Sequence, residues 1–187
     1  MPCSRRSIEH ALALAEAAAP TYEAPSSSDA RAPRYSLDLH ERVIGRGEQD
    51  FALAASGLRR WATHEVPGVR VFPAGSPVAQ DATCLVTFGT PLLAIAAPCR
   101  VTEVVDDARR VGFTYVTLRG HPEEGEETFL VELDGRGEVR CTITARSRPG
   151  SRLVAATARV NRLVQHRVAR GYLRSLERHV ARAASRA

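Results

Sequence analysis

"GFTYVTLRGHPEEGEETFLVEL", Gly112 to Leu133, decides the fold. Apolar and polar residues alternate on both sides of its middle, the period of a half-buried strand. Val111, Phe113, Tyr115 and Thr117 share one face, opposed by Thr114, Val116 and Leu118, and the returning run places Phe129, Val131 and Leu133 together. Between the two runs, Gly120 lets the chain reverse and Pro122 stiffens the turn. The stretch is therefore a β-hairpin whose turn carries His121 and the acids Glu123, Glu124, Glu126 and Glu127.

Further strands extend the hairpin in both directions. Downstream, "DGRG" turns tightly, and Val139, Cys141, Ile143 and Ala145 alternate with Arg140, Thr142, Thr144 and Arg146 until Pro149-Gly150. Upstream, "CRVTEVVDD" after Pro98 makes a strand, residues 82–97 a hairpin broken at Gly89-Thr90-Pro91, and "GVRVFPAG" a short strand ending at Pro73. Earlier still, Phe51, Ala54, Ala55, Leu58 and Trp61 or Ala62 recur at helical spacing, with Glu48 and Asp50 near the start where the helix dipole favours acid. Trp61 reads as an anchor between this helix and the sheet. "YSLDLHERVIG" alternates again, setting Tyr35, Leu37 and Leu39 against Ser36, Asp38 and His40.

After Pro149 the period becomes helical for the rest of the chain. Leu153, Ala156, Val160, Val164, Val168, Tyr172, Leu176 and Val180 form a stripe, with arginines over much of the remainder. The order strand, helix, strands, helix predicts an α+β fold: a curved antiparallel sheet of about six or seven strands gripping a long C-terminal helix. Residues 1–33 read as an extension made of a short alanine-rich helix and a Pro/Ser/Ala linker, loosely attached. Residues 34–187 form the single domain.

Composition narrows the function. The chain is 44% hydrophobic, enough for a real core, and no run approaches the ~20 apolar residues of a membrane span. All 26 basic residues are arginine. From Ser151 onward, nine arginines against Glu177 alone give a formal +8, while seventeen arginines and twenty acids leave residues 1–150 at −3. The basic helix thus admits a surface docked on nucleic acid or anionic membrane. It lacks interleaved aromatics and any groove-reading motif, so nucleic acid is the weaker reading. Cys3, Cys84, Cys99 and Cys141 are widely spaced and read as reduced, buried thiols of a cytoplasmic protein. "CSRRS" near the start does not make an export signal, because Glu9, His10 and Glu16 interrupt the apolar run behind it. No histidine spacing suits zinc, and no phosphate loop, dinucleotide fingerprint or nucleophile elbow occurs, so neither metal nor cofactor is expected.

Three stretches in order carry a resemblance: "GRGEQDFALAASGLRRW", "PCRVTEVVDDARRVGFTYVTLRGHPEEGEETFLVEL" and "ARSRPGSRLVAATARVNRLVQHRVARGYLRSL". The chain resembles uncharacterised protein family 0548, also described as domain of unknown function 1990, over roughly residues 20–177. Its most specific parts are Gly112 to Glu127 and the Ser147-Arg148-Pro149 triplet; Val116 and Arg119 stand where the family usually has glycine and proline. The resemblance implies the helix-grip superfamily, which includes lipid-transfer, plant-allergen and polyketide-cyclase-like domains.

In a helix-grip fold the inward face of the sheet lines a cavity beneath the last helix. That makes Tyr115 and Thr117 candidate contacts for a small, largely apolar or amphipathic ligand, with His121 near the mouth. Arg146 and Arg148 offer planar forks for a ligand carboxylate or phosphate. They can equally pair with acids of the neighbouring strand, and an ion pair of Arg146 with Glu126 or Glu127 is the expected arrangement. An enzyme of cyclase or hydrolase type would instead use His121 with Glu126 or Glu127 as an acid/base pair.

Overall fold

The computed structural model describes residues 5–22, 35–90, 94–151 and 158–186. Cys3, most of the Pro/Ser/Ala linker, Pro91 and the stripe positions Leu153 and Ala156 lie outside them. Seven strands form one antiparallel sheet: β1 (Ser36–Arg46), β2 (Val69–Phe72), β3 (Thr83–Gly89), β4 (Ala94–Asp107), β5 (Arg110–Thr117), β6 (Glu123–Leu133) and β7 (Glu138–Pro149). Their spatial order is β1-β7-β6-β5-β4-β3-β2. Six strands, β2 to β7, follow one another as simple neighbours, and β1 closes on β7. Helices α1 (Arg5–Glu16), α2 (Gly47–Leu58) and α3 (Ala158–Ala184) complete the fold.

The period-two pattern becomes two distinct faces. On the concave face Val101, Phe113, Phe129, Val131, Cys141 and Ile143 pack against Ala54, Ala55 and Leu58 of α2 and Tyr172, Leu176 and Val180 of α3. Trp61 has the anchoring place its position suggested: its ring meets Phe113 edge-on at 5.0 Å, and its indole N–H donates to the Ser76 carbonyl at 3.1 Å. Burying so many aliphatic and aromatic side chains, at about 1.5–3 kcal/mol each, is the main force closing the sheet on the helices.

Two expectations change. β4 runs unbroken through Pro98, where the sequence suggested two strands. Pro98 sits opposite Leu85 on β3, and its carbonyl turns the other way to accept from Leu118 N–H at 3.0 Å. A missing N–H on that side costs the β3 ladder nothing. The N-terminal segment is also more engaged with the sheet than its composition suggested. Ala15 is buried on the convex face with Leu85 and Leu118, and Ile8, Ala11 and Leu12 pack around them. Arg100 donates to the carbonyls of Ala15, Glu16 and Ala18, capping the C-terminus of α1. Thr21 and the buried Tyr22 follow along the end of β5.

Candidate functional site

The α3 stripe explains where the site lies. Tyr172, Leu176 and Val180 are buried in the core, but one and two turns earlier Val168 is only partly covered and Val164 is 52% exposed. There the helix stands away from the sheet, leaving a cavity of ≈ 410 Å³. That volume lies in the range of small-molecule pockets. Val86, Phe88, Ile95, Ala97 and Cys99 wall it from β3 and β4, Ala145 and Ser147 from β7, and Val164, Val168, Ala169 and Tyr172 from α3.

Tyr115, Thr117 and His121 all line this cavity. The Tyr115 hydroxyl donates to the carboxyl of Glu127, directly opposite on β6. Glu127 keeps some accessible surface, which opens to the cavity, and burial pushes its carboxyl up to about 7. The Tyr115 bond works against that rise, and the charge of Glu123 adds to it. Burial likewise pushes the Tyr115 phenol and the Cys99 thiol well above their ordinary values, so both stay protonated. Thr117 is committed to structure. Its hydroxyl accepts from Gly125 N–H at 2.9 Å and lies 2.7 Å from the Thr21 hydroxyl, while its own carbonyl accepts from Thr21 N–H at 2.9 Å.

His121 is held by its own turn. Gly120 supplies the left-handed φ of 101° there. The imidazole Nδ1 accepts from the Glu123 N–H at 2.9 Å and lies 2.8 Å from the Glu123 carbonyl. Burial lowers its pKa to about 4, so it is neutral at neutral pH. Among the described residues no hydrogen bond or ion pair joins His121 to Glu126 or Glu127, so the acid/base pair expected of an enzyme is not assembled. Glu126 accepts from Tyr22 instead, at 3.0 Å.

Arg146 and Arg148 are not in the cavity wall. Ala145 and Ser147 are, and strand alternation turns the two arginines to the convex face. Arg148 Nε donates to Glu124 at 2.8 Å, and its guanidinium lies over the Tyr35 ring. Arg146 sits opposite Glu126 in the β6–β7 register, yet the acid turns to Tyr22 rather than forming the expected ion pair. The pair that forms lies two residues further along each strand, between Glu124 and Arg148.

The structure also brings in residues that the sequence did not single out. Asp38 and His40 face the cavity from β1, whereas Leu37 and Leu39, on the more apolar face, are 60% and 62% exposed. His166 on α3 lies 3.1 Å from His40 and 3.9 Å from Asp38, and Gln165 donates to Glu123. Burial, then the neighbouring His166, lowers the His40 pKa. Beneath the cavity floor, His64 is wholly buried among Trp61, Phe129 and Tyr172, with Nδ1 2.9 Å from the Thr63 hydroxyl and Nε2 without a partner among the described residues. Burial takes it to about 3, so it is neutral. The only hint of it in the sequence is a polar "THE" between the α2 pattern and a Pro-Gly turn. Among the described residues no group of His, Cys, Asp and Glu has the geometry to hold a metal ion.

Known proteins of similar sequence and shape agree with this architecture. Residues 19–175 match the family model "Domain of unknown function (DUF1990)". A UPF0548 protein of Deinococcus radiodurans is 32% identical over 173 residues, covering 86% of this chain and 87% of its own. A UPF0548 protein of Arabidopsis thaliana is 32% identical over 118 residues, covering 59% of this chain and only 57% of its own. Among solved structures, a hypothetical protein of Helicobacter pylori superposes with a TM-score of 0.62 at 12% identity, over 84% of this chain and 99% of that one. A Thalictrum norcoclaurine synthase point mutant, in complex with a transition-state analogue, gives 0.53 at 12% identity, over 80% and 96%. With a seven-stranded sheet closed on a long C-terminal helix and this match over most of its length, the chain belongs to the DUF1990 (UPF0548) family and has the helix-grip fold.

Proposed function

We propose that the protein binds a small, largely apolar molecule between the concave sheet and α3. The observation that carries this reading is the cavity of ≈ 410 Å³, apolar over most of its wall, with polar groups gathered at Tyr115–Glu127 and at Asp38, Glu123 and His166. A packed core leaves few voids larger than a water molecule, so a space of this size inside a sheet–helix sandwich is a built feature. Cys84, Cys99 and Cys141, free and buried, fit a reducing compartment and favour the cytoplasm. Native mass spectrometry of protein purified from its own cells tests the reading. The expected result is a co-purifying molecule of a few hundred daltons that leaves on denaturation, and repeated preparations of folded protein without one would count against it.

Glu127 supports a second reading. A carboxyl near pH 7 inside a cavity is matched to proton transfer at neutral pH. In that case the bound molecule is a substrate, and Glu127 with Tyr115, not His121, moves the proton. Incubating the co-purified molecule with fresh protein separates the two: a binder returns it unchanged, an enzyme returns a new mass.

A further inference from the structure

The cavity has a sign. The chain carries 26 arginines, yet among the described residues none that lines the cavity is an arginine, and the chain has no lysine. The wall holds Asp38, Glu123, Glu126 and Glu127 instead, with the Glu126 carboxyl engaged by Tyr22. The imidazoles do not offset them. His121 is tied through Nδ1 to its turn, and burial favours the uncharged form of both His121 and His40. Burial equally raises the pKa values of Glu123 and Glu127, so a bound cation is what draws those carboxyls into the charged form. His166 lies 3.1 Å from His40 and 3.9 Å from Asp38. Arg170 acts on His40 electrostatically, but it is exposed and stands outside the wall.

A molecule entering this space gives up the water around its polar end, and that end must find a partner there. A carboxylate or phosphate would be buried against Glu123 and Glu127, with no guanidinium among the described wall residues to receive it. A cation would meet carboxyl oxygens and the aromatic side chains of Tyr115 and Tyr172. We infer that the ligand is an organic cation, an apolar body bearing a protonated amine that is received at Glu123 and Glu127 on either side of the bare Gly125. This rests on the ligand-binding reading above and adds the sign of charge. The cavity makes the site, and the acids set its preference.

Three compounds of one skeleton test it: 4-phenylbutylamine, 4-phenylbutanol and 4-phenylbutanoate, titrated calorimetrically into the full chain at neutral pH. The amine should bind about tenfold tighter than the alcohol, and the acid more weakly than either. Glu127→Gln and, separately, Glu123→Gln at the mouth should each reduce the amine's advantage while leaving the alcohol's affinity within about twofold. Should Glu127→Gln fail to fold, Glu123→Gln and the wild-type comparison still decide. If the alcohol or the acid binds as tightly as the amine, the charge preference is wrong and the ligand-binding reading stands. If none of the three binds to folded protein, the ligand-binding reading loses its support, and the charge preference falls with it.

Discussion

The acidic run of β6 is read differently by the two faces of the sheet. Glu124 and Glu126 alternate with the inward pair: Glu124 pairs with Arg148, and Glu126, though also part of the cavity lining, accepts from Tyr22. Glu123 and Glu127 face inward, where no arginine among the described residues reaches them and burial raises both pKa values. One residue type in one strand thus fastens the convex face and polarises the cavity on the other. The lesson is that charge near this turn has no single meaning until the strand's phase is known. Four carboxylates that look like one loop cluster are two pairs with opposite duties.

The largest effect should come from forcing the two faces apart at their shared residue. A Cβ on Gly125 would lie 2.0 Å from the Arg146 carbonyl oxygen and 2.8 Å from the Ser147 Cα, both backbone atoms of β7. Neither can step aside without separating the strands. Gly125→Ala should therefore cost about 3 kcal/mol or more, or prevent folding, as judged by urea denaturation. A near-neutral result would mean that β6 and β7 are less closely paired at this end.

A comparable but pH-dependent effect belongs to Glu127. Its carboxyl titrates at about 7 in the folded chain against an ordinary 4.5, so the folded state holds a proton that the unfolded state has lost between those values. The stability this group contributes is full below pH 4.5 and disappears as pH rises through 7, a loss of up to about 3 kcal/mol. Glu127→Gln should remove that decline. His64, near 3, and His121, near 4, act in the opposite sense, losing stability as pH falls below 6.5, and they cancel in the difference between wild type and variant. Parallel stability curves for the two proteins from pH 4.5 to 8 would show that Glu127 is no more buried than its outward neighbours.

The smallest effect should be on the convex face. The side chains of Glu124 and Arg148 keep 25% and 36% of their surface exposed, so a double-mutant cycle should find about 1 kcal/mol of coupling or less. Glu126 should couple to Tyr22 more strongly than to Arg146, since only the tyrosine makes the bond. Stronger coupling to Arg146 would restore the ion pair first expected from the sequence.

Most of the sheet was legible because alternation over six or more residues leaves little choice of element. The hairpin of β5 and β6, the face shared by Phe113, Tyr115 and Thr117, and the stripe of α3 all follow from spacing. Which face turns inward was legible only where the core is packed. Along β1 the apolar face, Leu37 and Leu39, turns out and Asp38 and His40 turn in, because a cavity accepts polar side chains that a packed core would refuse. The same reason hid His166 on α3. The arginines misled in the opposite way: Arg146 and Arg148 stand in sequence beside wall residues, and one step of the pleat removes them from the site. Pro98 was read as a strand break because the sequence does not show that its nitrogen faces away from β3.

Adjacent methyl groups offer the most direct test that ligand binding belongs to the concave face. Leu85 and Val86 are neighbours on β3: Val86 lines the cavity, while Leu85 packs on the convex face with Ala15 and Leu118. In a methyl NMR titration with 4-phenylbutylamine, Val86, Ala97 and Val168 should show the largest shifts, with Leu85, Ala15 and Leu118 nearly still. Shifts of equal size on the two faces, or a maximum among the convex methyls, would contradict the account.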